Sequence, residues 1–143
     1  MILSPLMRHH STSMPIISPY SFSTRIPLRV ATWLLDSQRL GQTAFAKRMA
    51  GHLLKQPARE GVVSAQSRLG RLLCKDCDNR RDRRIGESLL RQAARAGDSQ
   101  AQLELGRLLS LSCRYESRKA RYWLTLAANN SGSHEARQLL KEL

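Results

Sequence analysis

The chain has 143 residues, of which 41% are hydrophobic and only 5% aromatic, and it carries 24 Lys and Arg against 11 Asp and Glu. This length suits one domain with a modest core, and the Leu- and Ala-rich apolar set favours helices packed closely on one another. No stretch approaches the ~18 uninterrupted apolar residues that a membrane span requires. The formal charge of +13 attracts anionic partners, whether nucleic acid, an acidic protein surface or anionic lipid.

Residues 1–27 show no helical periodicity, and the chain has no acidic residue before Asp36. A segment rich in Ser and Arg and poor in acids has the composition of an organelle transit peptide. The lack of periodicity favours instead a disordered leader, or residues upstream of a later start at Met7 or Met14. We therefore predict a disordered leader over 1–27 and a folded domain over 28–143.

The first predicted helix pair covers about 29–63. Its first helix spans 29–40 and places Ala31 and Leu35 on one face. Its second helix runs from about Thr43 to Gln56, and Pro57 is expected to break or kink it because proline lacks the amide hydrogen.

An internal repeat with a period of 36 residues follows. Seven of ten positions are identical between 64–73 and 100–109, and six of ten are identical between 52–61 and 88–97. Two separate segments that share one period indicate repeated helix pairs over about 64–99 and 100–134, with a C-terminal capping helix over 135–143.

Each repeat begins with a helix that carries one apolar stripe and an internal glycine. The stripe of the first copy is Ala65, Leu69, Leu72 and Leu73. Gly70 costs roughly 1 kcal/mol relative to Ala in a helix, and its recurrence as Gly106 predicts that the backbone of a neighbouring helix comes too close for a Cβ atom. The second helix of the 64–99 unit is expected to end at Gly97 in a left-handed turn, and Asp98 to cap the next helix.

The repeat resembles the SEL-one-like repeat, a relative of the tetratricopeptide repeat, over residues 64–140. The resemblance rests on two copies of a shared pattern. They are Ala65, Leu69, Gly70, Leu73, Leu89, Leu90, Ala93, Ala94 and Gly97, and then Ala101, Leu105, Gly106, Leu109, Trp123, Leu124, Ala127 and Ala128. The family's aromatic residue near the end of the first helix is replaced by Leu73 and Leu109. The resemblance implies an all-α, right-handed α-solenoid of about three antiparallel helix pairs, whose concave face binds other proteins.

No pattern in the sequence supports catalysis, a cofactor or a metal site. The sequence has no glycine-rich phosphate loop, nucleophile elbow or paired carboxylates. Cys74 and Cys77 have the spacing of a zinc-binding pair, but a second pair of ligands is absent, and Cys113 stands apart. An odd number of cysteines outside a small secreted framework favours a reducing compartment, and we expect a cytoplasmic protein.

Arg71 and Arg107 are the candidate partner-binding residues, with Lys75 as a third. Both arginines directly follow the repeat glycine and so occupy equivalent places on successive first helices. By resemblance this position faces the concave groove, where guanidinium groups would bind the carboxylates of an acidic partner. Neither arginine lies on the apolar stripe, so replacing both with Ala is expected to change stability by no more than about 0.5 kcal/mol.

The sequence therefore predicts a non-enzymatic protein-interaction or adaptor module. A basic nucleic-acid-binding accessory protein is the alternative, because the chain is strongly basic. The segment 75–84 would be its basic patch, but that segment contains three Asp residues and no aromatic residue for base stacking.

Overall fold

The computed structural model describes residues 22–75, 79–112 and 116–143, and within these ranges the chain forms seven helices. They are α1 (Phe22–Asp36), α2 (Ala44–Arg59), α3 (Val63–Lys75), α4 (Arg80–Arg95), α5 (Ser99–Ser112), α6 (Ser117–Ser131) and α7 (His134–Glu142). The predicted all-α class is confirmed for this part of the chain.

The helices pack in consecutive pairs. The most extensive contacts join α3 to α4, α5 to α6 and α1 to α2, and each pair contacts the next through α2–α3 and α4–α5. Because short connections join helices that pack side by side, neighbouring helices form α-hairpins. The helix predicted over 135–143 is α7, which packs on α6.

The core is a row of clusters along the helix pairs. One cluster joins the first pair to the second through Ala31, Leu54, Ala58 and Leu69, and the next joins the second pair to the third. Of the predicted stripe, Ala65 and Leu69 are buried, whereas Leu72 and Leu73 are half-buried. The equivalent residues Ala101, Leu105 and Leu109 are buried, and alanines make up much of the core. Small side chains let the helix axes approach closely, as the Leu- and Ala-rich composition predicted.

Two predicted boundaries were wrong. The first helix begins at Phe22 and ends at Asp36, so residues 22–27 of the predicted leader are helical and Pro27 lies inside α1; residues 1–21 lie outside the described part. The second helix runs through Pro57 to Arg59 without a break. Pro57 lies in the last turn, where it lacks one donor, and its ring is fully buried, so packing offsets the lost hydrogen bond.

The predicted approach of a neighbouring backbone is confirmed at Gly70, whereas at Gly106 the closest atoms belong to the Leu124 side chain and its backbone nitrogen lies 3.3 Å from the Cβ position. A Cβ atom on Gly70 would lie 2.8 Å from Leu90 Cγ and 2.9 Å from the carbonyl oxygen of Gly86. On Gly106 it would lie 2.6 Å from Leu124 Cγ. Gly86, which the repeat pattern did not single out, faces Gly70 on the opposite helix, where a Cβ atom would lie 2.9 Å from the Gly70 carbonyl oxygen.

The turns between pairs repeat the same geometry. Gly61 and Gly97 have φ angles of +84° and +94°, in the left-handed region that glycine adopts without strain. Gly97 is followed by Asp98, whose Oδ1 atom accepts hydrogen bonds from the Ala101 amide at 2.7 Å and from the Ser67 hydroxyl at 2.9 Å. The predicted cap is confirmed, and through Ser67 it also joins two successive first helices.

Two buried glutamines join each pair to the one before it. Gln66 and Gln102, 36 positions apart, are 7% and 2% exposed. The Nε2 atom of Gln66 donates to the Ala58 carbonyl, and that of Gln102 donates to the Ala94 carbonyl, each at 3.1 Å. Buried polar groups require such partners, so these bonds fix how far one pair can slide against the next.

Candidate protein-interaction site

The three predicted partner-binding residues converge on one carboxylate. Arg71 and Lys75 lie in the C-terminal half of α3, and Arg107 lies in α5. The Nε atom of Arg71 lies 3.3 Å and the Nζ atom of Lys75 lies 3.1 Å from Oε1 of Glu104, and Arg107 Nη1 lies 3.2 Å from its Oε2. Arg107 also forms an ion pair with Glu135 at the start of α7. We call these five residues the ion-pair cluster.

Burial within the ion-pair cluster is uneven. The Glu104 side chain is only 6% exposed, whereas those of Arg107, Arg71 and Lys75 are 28%, 38% and 50% exposed. A buried carboxylate is tolerated only when cations or donors compensate its charge, and here three cations do so. The sequence-based expectation that Arg71 and Arg107 do not contribute to stability therefore overlooked Glu104, the carboxylate within the chain that both arginines contact.

Glu104 is the residue that the sequence analysis missed. It occupies the repeat position of Arg68, 36 residues earlier, so one position carries opposite charges in the two copies. Each copy forms its ion pair with the preceding first helix: Arg68 with Asp36 on α1, and Glu104 with Arg71 on α3. This charge reversal was the available signal, but burial of the carboxylate could not be read from it.

Arg68 forms a two-pronged contact with Asp36, in which its Nη1 and Nη2 atoms donate to the two carboxylate oxygens at 2.8 and 3.2 Å. These hydrogen bonds are the main reason why the pKa of Asp36 is lowered, and the charges of Arg68 and Arg71 add to the effect while burial opposes it.

We expect the substitution Arg68→Ala to raise the pKa of Asp36 toward its ordinary value of about 3.9. Arg71→Ala should raise it less, because Arg71 acts only through its charge. Since the folded-state pKa is lowered, the stabilising effect is present above the unfolded value and is lost as pH falls through the folded value. NMR titration of the Asp36 carboxyl measures both shifts; an equal rise in the two variants would contradict the assignment to hydrogen bonding.

An open pocket of about 560 Å³ adjoins the ion-pair cluster. The described residues that line it include four cations, Lys47, Arg68, Arg71 and Lys75, and one carboxylate, that of Asp36. We call it the basic pocket. It shares Arg71 and Lys75 with the ion-pair cluster, so the exposed sides of these two residues line a cavity with an excess of positive charge.

The ion pairs also show which helices lie side by side. Asp36 with Arg68 joins α1 to α3, Arg71 and Lys75 with Glu104 join α3 to α5, and Arg107 with Glu135 joins α5 to α7. The first helices of the three pairs, together with α7, thus form one continuous side of the molecule, which we call the first-helix face. Chemically, this face offers guanidinium and ammonium donors to carboxylates.

The cysteines and other potential ligands contribute no metal centre to the described residues. Cys74 lies in the last turn of α3, where its thiol lies 3.8 Å from the Arg83 carbonyl oxygen, while Cys77 and Cys113 lie outside the described residues. Across 22–75, 79–112 and 116–143, no three His, Cys, Asp or Glu side chains are grouped as metal ligands. In the same ranges, no helix has the length and apolar character needed to span a membrane.

Comparisons with known proteins add no relative. No family model matches the chain, and no curated protein and no solved structure matches it. The resemblance to the SEL-one-like repeat therefore rests on the repeated residues themselves.

Proposed function

We propose that this chain is a non-enzymatic adaptor, built as a right-handed α-solenoid of the SEL-one-like kind, which binds an acidic segment of a partner protein on its first-helix face. The observation that supports this proposal most directly is the convergence of Arg71, Lys75 and Arg107 beside the basic pocket. Cytoplasmic location is part of the same proposal.

The ion-pair cluster has binding capacity beyond its internal contacts. Arg71 contacts Glu104 through Nε, and a guanidinium has five N–H donors, so its terminal groups have donors for a further carboxylate. Lys75 has three donors and is half exposed. Glu104 holds both side chains in place, which reduces the conformational entropy that they lose when a partner binds.

The exposed carboxylates disfavour nucleic acid on this face. Asp36 on α1 is 59% exposed and Glu135 on α7 is 53% exposed, and each lies beside a cation of the neighbouring first helix. A phosphate backbone would approach these carboxylates, whereas a protein segment can place its own acids beside the cations only.

Lys75→Ala tests the proposal, since Lys75 is the most exposed of the three cations. A partner would first be captured from the native host with the unaltered chain, identified, and then titrated as a purified protein. We expect Lys75→Ala to weaken its binding by roughly two- to fivefold, the range for an exposed charge pair. Lys119→Ala removes the same charge from an exposed position of α6, which is not part of the first-helix face, and should leave the affinity unchanged.

Two results would contradict the proposed function. One is equal affinity of the Lys75→Ala and Lys119→Ala variants for the purified partner. The other is capture that nuclease abolishes, together with an oligonucleotide mobility shift that weakens steeply as salt rises, because that dependence is typical of phosphate binding.

A further inference from the structure

A second surface lies between α2 and α4. Two adjoining cavities of about 730 and 470 Å³ open there, and they share Lys55, Leu69, Leu73 and Asp82 in their linings. We call this continuous depression the α2–α4 groove. It contains none of the five residues of the ion-pair cluster.

The floor of the α2–α4 groove is apolar. Leu69, Leu72 and Leu73 of α3 line its base, and Ile85 and Leu89 of α4 line one side. Ile85 is 44% exposed, so apolar surface at this groove faces solvent. On the α2 side the lining includes Gly51, where a Cβ atom would meet no other atom within 4 Å, so this wall leaves room for an occupant.

The rim of the α2–α4 groove is basic. Its cations are Lys47, Arg48, Lys55 and Arg59 on α2 and Arg81 on α4, and among the described residues that line it the one carboxylate is that of Asp82. Arg48, Lys55 and Arg59 follow one another at helical spacing, which places them on one stripe of α2. None of the ion pairs in the described part of the chain involves these three residues or Arg81.

We propose that the α2–α4 groove is a second docking site, which binds an acidic amphipathic helix of a partner protein. The charge complementarity defines the occupant: the apolar floor accepts the apolar stripe of a helix, and the basic rim accepts acidic residues beside that stripe. The 16 residues of α2 extend over roughly 24 Å at 1.5 Å per residue, so the groove suits about four turns of helix.

Other anionic occupants would use only part of this surface. A nucleic-acid backbone would neutralise the rim but leave the leucine floor unused. Among the described residues, the lining has no Phe, Tyr or Trp on which bases could stack, and His52 is its one aromatic ring. The surface of an anionic membrane would meet the rim without reaching the leucines below it. Only a narrow element with both an apolar and an acidic side can contact the leucines of the floor and the cations of the rim at the same time.

A designed peptide tests this site. It has about 16 residues, the length of α2, with Leu at helical spacing on one face and Glu on the others, and a fluorescent label. A scrambled peptide of the same composition retains the charge but loses the stripe. Fluorescence anisotropy titrations against the full chain should show at least about tenfold weaker binding of the scrambled peptide, a difference of about 1.4 kcal/mol.

Three variants assign the binding to the α2–α4 groove. The double substitution Lys55→Glu with Arg59→Glu should lower the affinity for the designed peptide by about tenfold or more, because the new carboxylates at the rim repel its Glu residues. Ile85→Ala, which retains every charge, should lower the affinity for the peptide by roughly threefold because an apolar contact is lost. The matched control is Arg84→Glu with Arg95→Glu, which makes the same charge change at exposed positions of α4 outside the groove.

Several outcomes would overturn the second docking site. Equal binding of the designed and scrambled peptides would show general attraction to a basic protein, as would equal weakening in the rim and control variants. Displacement of the designed peptide by an oligonucleotide at lower concentration than by unlabelled peptide would assign the groove to nucleic acid. Lys75→Ala should leave the peptide affinity unchanged; weakening equal to that of the rim variant would place the peptide on the ion-pair cluster.

Discussion

Replacement of Gly70 by Ala is expected to destabilise the chain by about 1–3 kcal/mol, although alanine is the better helix former. The new methyl group would lie 2.8 Å from Leu90 Cγ and 2.9 Å from the carbonyl oxygen of Gly86. Leu90 is fully buried and the Gly86 oxygen is backbone, so relief requires α3 and α4 to separate. Gly106→Ala should act similarly against Leu124, and the larger Gly70→Leu should exceed the upper end of that range.

Gly51→Ala is the matched control for this expectation. Gly51 also lies inside a helix, but its Cβ atom would meet nothing within 4 Å. The same substitution should therefore stabilise the chain by roughly 0.5–1 kcal/mol through helix propensity alone. Urea denaturation of the three alanine variants measures the free energies of unfolding. Stabilisation of all three would mean that the close approach of α3 and α4 is absent in solution.

The second large effect is expected from the double substitution of Arg71 and Arg107 by Ala. The buried Glu104 carboxylate would retain only Lys75 of its three cations. Leaving a buried charge short of partners is strongly destabilising, and we expect a loss of about 1–3 kcal/mol, because Lys75 remains and the site is near solvent. The sequence alone predicted a change in the free energy of unfolding of at most about 0.5 kcal/mol, since neither arginine lies on the apolar stripe.

A double-mutant cycle with Glu104→Gln separates this effect from general surface changes. Glutamine removes the charge that the arginines compensate, so the double truncation should cost at least about 1 kcal/mol less in the Gln background. Arg84→Ala with Arg95→Ala, at exposed positions on α4, should stay within about 0.5 kcal/mol of the parent. Strict additivity in the cycle would contradict the structural role of Glu104.

This coupling determines how binding should be measured. Loss of partner binding in the double arginine variant would combine a weakened fold with a lost contact, so it would not isolate the contact. Lys75 is half exposed and forms one of the three ion pairs to Glu104. It is therefore the better residue for testing partner binding on the first-helix face.

Much of the fold could be read directly from the sequence. The 36-residue repeat indicated helix pairs, and the recurrence of Gly70 as Gly106 indicated that neighbouring helices pack closely at these positions. Gly97 and Asp98 indicated the turn and the cap. These features depend on residues that are neighbours in the chain or equivalent in the repeat, so one-dimensional periodicity carries them.

The tertiary structure alone decided how α2 ends and what surrounds the candidate site. Whether Pro57 breaks a helix depends on how much packing the chain gains by continuing, and that gain comes from other helices. The charge of the buried Glu104 is compensated because α3 lies beside α5 and brings Arg71 and Lys75 to it from about 30 residues away in sequence. The α2–α4 groove likewise exists only because two helices that are separated in sequence lie on either side of α3. Burial and charge compensation depend on side chains that come from distant parts of the sequence. A repeat pattern predicts the position of each residue on its helix, but it does not predict which side chains of other helices will contact it.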